Sequence, residues 1–318
     1  MTEKLFHSGL IVRSPTLACE DAVIYSVGWD AEVKQTQKSN KLLMQISGFH
    51  TPHIQFGSTY YNSAFLVRGL NPVNTIVITY NKTKGVINYR NQRFTNNELL
   101  VLTRDEEMDL VISDKNITFT IAIEESYFKK VFFEYYGMDF ESRLKKYLLI
   151  DPKQERAFLE FLHFWIHYFL TNDTQNLLPQ DYEKIEEDIL LTLFGFITID
   201  RQVSRSVNKI LKEARNIIER SLELDLKLAD LATHLGVSQR TLEYTFKKNL
   251  GMTPKSYQQI LRLYAVRNEL KHTASTTKKV SDTALKYAFF HMGHFASEYK
   301  KVFGESPLQT LKTALKKG

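Results

Sequence analysis

The sequence predicts an α+β chain with three parts: an N-terminal β domain (residues 1–150), a helical segment (151–205) and a C-terminal all-α domain (206–318). Three observations predict this order. Short β-branched and aromatic runs come first, apolar residues then recur every three or four positions, and one motif occurs twice near the C-terminus. The length of 318 residues is that of about two ordinary domains.

Seven apolar runs between Val23 and Ile123 predict strands, and their regular spacing is typical of a β-sandwich or barrel. The runs are IYSVGW, LLMQISGF, AFLVRGL, TIVITY, VINY, LLVLT and TFTIAI. Turn residues at 71–72, 81–85 and 95–97 predict hairpin connections. Aromatic residues in this region fit either a plain core or the wall of a small-molecule cavity. These aromatic residues are Trp29, Phe49, Tyr60, Tyr61 and Tyr80.

Two apolar helices are predicted next. Asp151–Pro152 marks the start of the first, because proline is favoured at the first helical position, and its apolar face includes Phe158 and Trp165. The second runs from about Pro179 to Ile199. Both faces must be buried, either on the β domain or between two subunits, and the sequence allows both. The link to the C-terminal domain is predicted near residues 200–206.

Charge is divided unevenly along the chain. Residues 1–200 contain 20 Lys and Arg against 26 Asp and Glu, whereas residues 201–318 contain 22 against 10. A basic C-terminal part on an acidic protein favours a polyanionic partner, although a solvated basic surface fits the same counts.

The composition also limits the compartment and the chemistry. Cys19 is the only cysteine, which excludes an intramolecular disulfide and a thiolate zinc site. No apolar run has the length of a signal peptide or a membrane span. The sequence therefore predicts a cytoplasmic protein that does not contact a membrane.

A repeat in the basic part is the most informative motif. Residues 246–254 return 53 positions later as residues 299–307. An aromatic residue, two lysines, an apolar residue, a glycine, a hydroxyl residue and a proline keep their register in both copies. So many matched positions indicate two copies of one supersecondary unit.

The residues before each copy predict a short helix, a tight turn and a second helix, which is a helix-turn-helix unit. In the first unit Gly236 allows the left-handed turn and Ser238 caps the second helix. In the second unit the turn is one residue longer and Ala288 replaces the glycine.

Outward residues of each second helix would face DNA bases in such units. Arg240 suits guanine and Glu243 suits cytosine. The predicted base-contacting residues are Gln239, Arg240, Glu243 and Tyr244 in the first unit and Met292, Gly293, His294 and Ser297 in the second. The predicted phosphate-contacting residues are Ser238, Lys247, Lys248, Lys300 and Lys301. For each lysine taken alone, a solvated helix terminus that favours cations is the better explanation.

Residues 210–313 resemble the DNA-binding domain of the AraC/XylS family of bacterial transcription regulators. The resemblance is carried by the segment KSYQQILRLYAVRNEL and by Ala288-Phe289, His291, Gly293, His294-Phe295, Tyr299-Lys300, Phe303-Gly304 and Ser306-Pro307. Two positions depart from the family pattern. His291 stands where a capping Ser or Asp is usual, and Leu311 stands where an aromatic residue often closes the domain.

The resemblance implies two helix-turn-helix units joined by a long helix, which read major-groove segments roughly 34 Å apart. It implies a cupin-like N-terminal domain for sensing or dimerisation, and it favours a homodimer paired through residues 151–205. It also implies double-stranded DNA as a partner, contact with RNA polymerase, a small-molecule effector, and a role as a transcription activator rather than an enzyme.

A cupin-like small-molecule-binding enzyme with a basic C-terminal tether is the alternative. The glycines form no phosphate-binding loop, and Cys19 has no neighbouring histidine to activate it. The pairs His50/His53 and His163/His167 lack the spacing or the glutamate typical of a metal site, so His50 and His53 are interpreted as turn or surface residues. The sequence therefore predicts no catalytic residue, no cofactor and no metal.

Overall fold

The computed structural model describes residues 6–22, 25–26, 28–37, 41–96, 98–103, 107–140, 147–172, 174, 177–198, 208–272 and 279–317. Within these ranges no helix is both long and apolar enough to cross a membrane. The predicted link at residues 200–206 lies outside the described residues.

Antiparallel strands form two sheets in the first 198 residues. The strands are β1 (Ile11–Arg13), β2 (Leu17–Ala18), β3 (Asp30–Gln35), β4 (Leu43–His50), β5 (Ile54–Tyr61), β6 (Phe65–Leu70), β7 (Thr75–Thr83), β8 (Ile87–Tyr89), β9 (Gln92–Phe94), β10 (Glu98–Leu102), β11 (Met108–Ile112), β12 (Asn116–Glu124), β13 (Tyr147–Ile150) and β14 (Ile197–Thr198). Sheet A has the order β1-β4-β5-β12-β7-β10-β13-β14, with β2 beside β4, and sheet B has the order β3-β6-β11-β8-β9.

Helices flank the sheets and form the C-terminal part. They are α1 (Cys19–Ala22), α2 (Glu125–Tyr136), α3 (Glu155–Thr171), α4 (Pro179–Phe196), α5 (Lys209–Arg220), α6 (Leu228–His234), α7 (Gln239–Leu250), α8 (Pro254–Lys271), α9 (Val280–Lys286), α10 (Met292–Phe303) and α11 (Pro307–Lys317).

Alternation along the strands gives each sheet an inner and an outer face. Inner side chains such as Met44 and Leu100 of sheet A meet Val67 and Leu110 of sheet B in a shared core. The outer face of sheet A packs against α2, α3 and α4. The outer face of sheet B packs against α5, α7 and α8, so sheet B lies between the sandwich core and the C-terminal helices.

Six of the seven predicted runs contain a strand. The run IYSVGW is wrong over its described residues, because Tyr25–Ser26 and Gly28–Trp29 are not in a strand and β3 begins at Asp30. Strand β5 was missed, since Gly57 and Ser58 interrupt its apolar pattern. Strand β11, MDLVI, was also missed.

The predicted hairpins are wrong. Residues 71–72, 84–85 and 95–96 lie on connections that run from one sheet to the other, residues 81–83 lie within β7, and Asn97 lies outside the described residues. Hairpins form instead at β4–β5 and β8–β9. In the second hairpin Arg90 and Asn91 adopt the positive φ that a two-residue turn requires.

The two apolar helices exist with shifted ends. Pro152 opens a short 3-10 turn and α3 begins at Glu155, while α4 ends at Phe196 and the chain rejoins sheet A as β14. Their apolar faces pack on sheet A within the same chain. Burial of these faces therefore needs no second subunit, and pairing through this segment stays a prediction.

Candidate nucleic-acid interface

The first helix pair, α6 and α7, is held by a small buried core. Ala232 allows close approach of the two helices, and Leu242 and Phe246 are fully buried. Gly236 adopts a φ of +64° between the helices, as the sequence predicted. The Ser238 hydroxyl accepts a hydrogen bond from the Thr241 backbone N–H at 3.1 Å, which confirms the predicted cap of α7.

The outward face of α7 presents the predicted residues. Gln239, Arg240 and Tyr244 are exposed, and Glu243 is half-buried. Gln239 Nε2 donates to Glu243 Oε1 at 3.3 Å, so these two side chains are oriented together. The Lys248 Nζ lies 5.6 Å from the centroid of the Tyr244 ring, within cation–π range.

The second pair, α9 and α10, repeats this arrangement with a strained turn. Ala288 adopts a φ of +58° where the first pair has glycine. An L-residue in this region costs about 1–2 kcal/mol. His291 occupies the N-cap position of α10, and its side chain makes no capping hydrogen bond.

The outward residues of α10 form a less polar surface. Gly293, His294 and Ser297 are exposed and Met292 is half-buried. Phe295 and Tyr299 are buried on the inner side of the helix. The structure thus brings the four predicted residues together on one helix, opposite the residues that hold it in the core.

The repeated motif encodes the end of one helix and the start of the next. Gly251 and Gly304 end α7 and α10 in the left-handed conformation. Thr253 Oγ1 accepts from the Ser256 N–H to cap α8, and Ser306 Oγ accepts from the Gln309 N–H at the start of α11. The similarity of the two copies therefore follows from shared capping geometry.

The lysines of the repeat lie in the last turns of α7 and α10. Lys247, Lys248 and Lys300 are exposed. Lys301 is also exposed, and its Nζ lies 3.3 Å from Glu298 Oε1. This ion pair gives Lys301 an intramolecular partner on its own helix.

Helix α8 joins the two pairs. Its side chains enter both C-terminal cores, with Leu261 in the first and Leu263 in the second. Arg262 is buried, and its Nε donates to the Leu222 carbonyl at 3.0 Å, which ties α8 to the segment after α5. The predicted connecting helix therefore packs into both C-terminal cores.

A buried ionic network that sequence reasoning missed joins sheet B to α5 and α8. Arg215 on α5 is 2% exposed, and its Nη2 lies 2.7 Å from Asp109 Oδ1 on β11. Arg68 on β6 pairs with Glu219 at 2.7 Å and with Asp109 at 3.2 Å. The Tyr257 hydroxyl donates to Glu219.

The two carboxyl groups of this network, Asp109 and Glu219, have lowered pKa values. Burial by itself would raise the pKa of Asp109, but the positive charges and hydrogen bonds of Arg215 and Arg68 outweigh it, so that pKa is lowered. Burial would also raise the pKa of Glu219, but the hydrogen bond to Arg68 and the positive charge of Arg68 outweigh it, so that pKa is lowered as well. One signal was present in the sequence: Arg215 stands four residues after Leu211 and three before Ile218, on the buried face of α5.

The aromatic residues considered for a cavity separate into two groups. Trp29 and Tyr61 line a cavity of about 160 Å³ between the sheets, whereas Phe49 borders it but stacks its ring on Phe169 of α3, with 3.7 Å between the ring centroids. Tyr60 is 39% exposed, and Tyr80 lies on the outer face of sheet A, where its hydroxyl donates to Glu155 at 2.9 Å. The prediction of a cavity wall therefore fails for Tyr60 and Tyr80.

The interpretation of the two histidines as turn or surface residues holds for His53, which lies in the turn between β4 and β5, and is wrong for His50, which is buried at the end of β4. His50 is 1% exposed and lines the cavity. His53 Nδ1 lies 2.8 Å from the buried Glu186 carboxylate of α4, so it ties the hairpin to that helix. Across the described ranges, no group of three His, Cys, Asp or Glu residues is placed to hold a metal ion.

Capped helix pairs with exposed second helices, in a basic C-terminal part, define a helix-turn-helix DNA-binding protein. A family model described as "Helix-turn-helix domain" matches residues 231–313. The chain is 25% identical to the XylDLEGF operon transcriptional activator 1 of Pseudomonas putida over 223 residues, which are 70% of this chain and 69% of that protein.

Two further comparisons extend this result. The XylDLEGF operon transcriptional activator 2 of Pseudomonas putida is 31% identical over 142 residues, which are 43% of this chain and 87% of that protein. A probable AraC family transcriptional regulator from Rhodopseudomonas palustris, a solved structure, matches 34% of this chain and 98% of its own at 28% identity and a TM-score of 0.32. The 31% identity over 87% of the activator 2 shows that the chain belongs to the AraC/XylS family of transcription regulators.

Proposed function

We propose that this protein is a sequence-specific transcription activator that reads two adjacent major-groove segments with α7 and α10. The observation that carries the proposal is the exposed outward face of each helix, which follows a turn residue of positive φ and ends at a left-handed glycine in both units. In the proposed division, residues 206–318 are the DNA-binding domain with two helix-turn-helix units. The activator names of the Pseudomonas putida relatives support the sign of regulation.

The two helices would contribute unequally to specificity. Arg240 can donate two hydrogen bonds to guanine, and Glu243 can accept one from cytosine. Met292, Gly293, His294 and Ser297 suit apolar contact with thymine methyl groups. Gln239 and Tyr244 complete the first base-contacting set. Ser238, Lys247, Lys248, Lys300 and Lys301 would hold the phosphates and set the register of the protein on DNA.

Residues 1–150 are proposed as a cupin-like regulatory domain that senses a small molecule, dimerises or does both. The cavity between the sheets supports the sensing role. Homodimer formation through residues 151–205 would use the outer surface of the helices, where Phe164 is 56% exposed, because their inner faces pack on sheet A. RNA polymerase is the proposed partner in activation.

Selection of bound sequences from a random DNA pool tests this function. The full-length protein should enrich a motif with two sub-sites about one helical turn apart. Arg240→Ala should blur one sub-site and weaken specific binding by about 1–3 kcal/mol, because one bidentate base contact is lost, while salt-dependent nonspecific binding persists.

Arg220→Ala is the matched control, since it removes the same charge from the exposed end of α5, outside both proposed recognition helices. It should keep the selected motif. An equal loss of sequence preference in both variants, or a motif that Arg240→Ala leaves unchanged, would contradict the role of α7. Ethylated-phosphate interference around the selected site then tests the lysine contacts.

A further inference from the structure

The cavity between the sheets has two chemically different sides. Sheet B contributes apolar side chains, among them Val33, Val67 and Met108. Sheet A contributes Thr59, Thr79, Thr118 and Thr120, of which the Thr118 hydroxyl already donates to Asn81 Oδ1 at 2.9 Å and accepts from Asn116 Nδ2 at 2.6 Å. The strand register clusters these threonines, because Thr118 is paired with Thr59 and Thr120 with Thr79.

Two facing glycines leave room beside this hydroxyl cluster. Gly48 of β4 is paired with Gly57 of β5, and both line the cavity. A Cβ on Gly48 would lie 2.6 Å from the Phe56 carbonyl oxygen, so no larger residue fits there without moving the backbone. The space is therefore a consequence of close backbone packing in sheet A.

Polar groups on one wall already pair with one another. Trp29 Nε1 donates to Gln55 Oε1 at 2.9 Å, and Gln55 Nε2 lies 2.9 Å from His50 Nε2. Hydroxyl groups both donate and accept hydrogen bonds, and they rotate to suit a partner. The threonine hydroxyls of sheet A can therefore bind a hydroxyl, carbonyl or amide group of a ligand.

Formal charge is missing from the cavity wall. Among the described residues that line it, none is Lys, Arg, Asp or Glu. Burial, followed by the nearby His7, lowers the pKa of His50 to about 4, so His50 is neutral at pH 7. Burial also raises the pKa of the Tyr61 phenol, which stays protonated. An ionised ligand would lose its hydration here without a counter-ion, at a cost of several kcal/mol.

Volume limits the size of the ligand. An apolar protein cavity of about 150 Å³ holds a benzene molecule. At about 160 Å³ this cavity has room for a single ring with one small substituent.

We propose that the cavity binds an uncharged single-ring compound that carries one hydroxyl, carbonyl or amide group. The ring lies against Val33, Val67 and Met108 of sheet B, and the polar group faces the threonine hydroxyls of sheet A. This inference deepens the proposed sensing role of residues 1–150 and rests on it.

Matched small molecules test the ligand class. Trp29 and Trp165 are the two tryptophans of the chain, so full-length Trp165→Phe leaves Trp29 in the cavity wall as the fluorescent reporter. Benzyl alcohol and benzamide are uncharged, benzoate and benzylamine carry opposite charges at pH 7, and toluene has no polar group.

The uncharged polar probes should change Trp29 emission saturably and bind at least about tenfold more tightly than either charged probe. Benzoate or benzylamine binding as tightly as benzyl alcohol would overturn the proposal. Failure of all uncharged probes to saturate up to their solubility would overturn it as well.

A double variant tests the polar side. Thr79→Val with Thr120→Val keeps the shape of the wall and removes two hydroxyls. The affinity for benzyl alcohol relative to toluene should fall several-fold, because only the alcohol uses these groups. Thr283→Val, a buried threonine of α9, is the matched control and should leave that ratio unchanged. If the double variant kept the wild-type ratio of benzyl alcohol to toluene affinity, the proposed contact between the ligand and the threonine hydroxyls would be wrong.

DNA selection with the same proteins separates the two proposals. If the probes fail while the selected DNA motif persists, the ligand class is wrong and the DNA-binding role stands. If the probes bind but no motif is enriched, the proposed DNA-reading function fails and the cavity assignment stands.

Discussion

The outer faces of the two sheets bind their neighbours in opposite ways. Sheet A packs against α2, α3 and α4 through apolar side chains, including Phe56, Phe119 and Phe158. Sheet B packs against the C-terminal helices through Leu66 and Val111, with the Arg68–Asp109–Arg215 network between them.

The stability of the two contacts depends on their residues in different ways. Burial of apolar surface is non-directional and roughly proportional to area, so the loss of one side chain costs in proportion to what it buries. A buried ion pair is stable only when every partner is in place, because a single unpaired charge is costly. At the contact between sheet B and the C-terminal helices, the loss of one charged partner therefore also leaves its partner's charge buried.

Alternation along β6 and β11 makes this contact relevant to the cavity. Val67 and Leu110 line the cavity, and their neighbours Arg68 and Asp109 belong to the ionic network. The same two strands therefore contact the cavity on one face and the DNA-binding helices on the other.

The largest expected effect is at the apolar face. Phe158→Ala should lower the free energy of unfolding by about 3–5 kcal/mol, because it leaves a cavity between α3 and sheet A. Urea denaturation followed by circular dichroism measures this change. Phe164→Ala, at an exposed position of the same helix, should change stability by less than about 0.5 kcal/mol. Similar losses in both variants would mean that the packing of α3 differs from that described.

Arg215→Met should weaken the contact between sheet B and the C-terminal helices by about 2–3 kcal/mol, less than a fully broken pair because Arg68 still reaches Asp109. Small-angle X-ray scattering should then report a larger radius of gyration. Lys212→Met, on the exposed face of α5, is the matched control and should scatter like the wild type. An unchanged profile for Arg215→Met would show that the apolar contacts alone hold the two parts together.

The smallest effect is expected at Asn88. It is fully buried on β8, paired in register with Val111, and its amide atoms have no hydrogen-bond partner among the described residues. An unsatisfied buried amide is costly, so Asn88→Leu should raise the free energy of unfolding by about 1 kcal/mol. The thermal midpoint should rise accordingly. A drop in the midpoint would indicate that the amide is satisfied in solution. Asn208→Leu, which removes a helix cap instead, should lower it.

Local chemistry explains which predictions from the sequence are confirmed. Strands with β-branched runs, such as TIVITY in β7, and the apolar helices α3 and α4 exist where periodicity placed them. The turn at Gly236 and the cap at Ser238 are confirmed because both depend on residues close in sequence. Family membership likewise rested on a contiguous motif.

Predictions that depended on distant partners failed or were not made. The turn residues at 71–72 and 84–85 lie between strands of different sheets, because the sheet that each strand joins is decided by its non-local partners. Tyr80 and Tyr61 have similar local patterns and face opposite sides of sheet A. Cavity lining could therefore not be assigned from aromatic content.

The sequence by itself determined the order of β and α parts, the repeated helix pairs, their caps and the basic C-terminal charge, since each depends on residues within a few turns of one another. Only the tertiary structure decided that α3 and α4 cover sheet A, that Arg215 meets Asp109, and that the threonines of three strands share one cavity. These contacts join residues far apart in the chain, and packing of whole elements, rather than local preference, selects them.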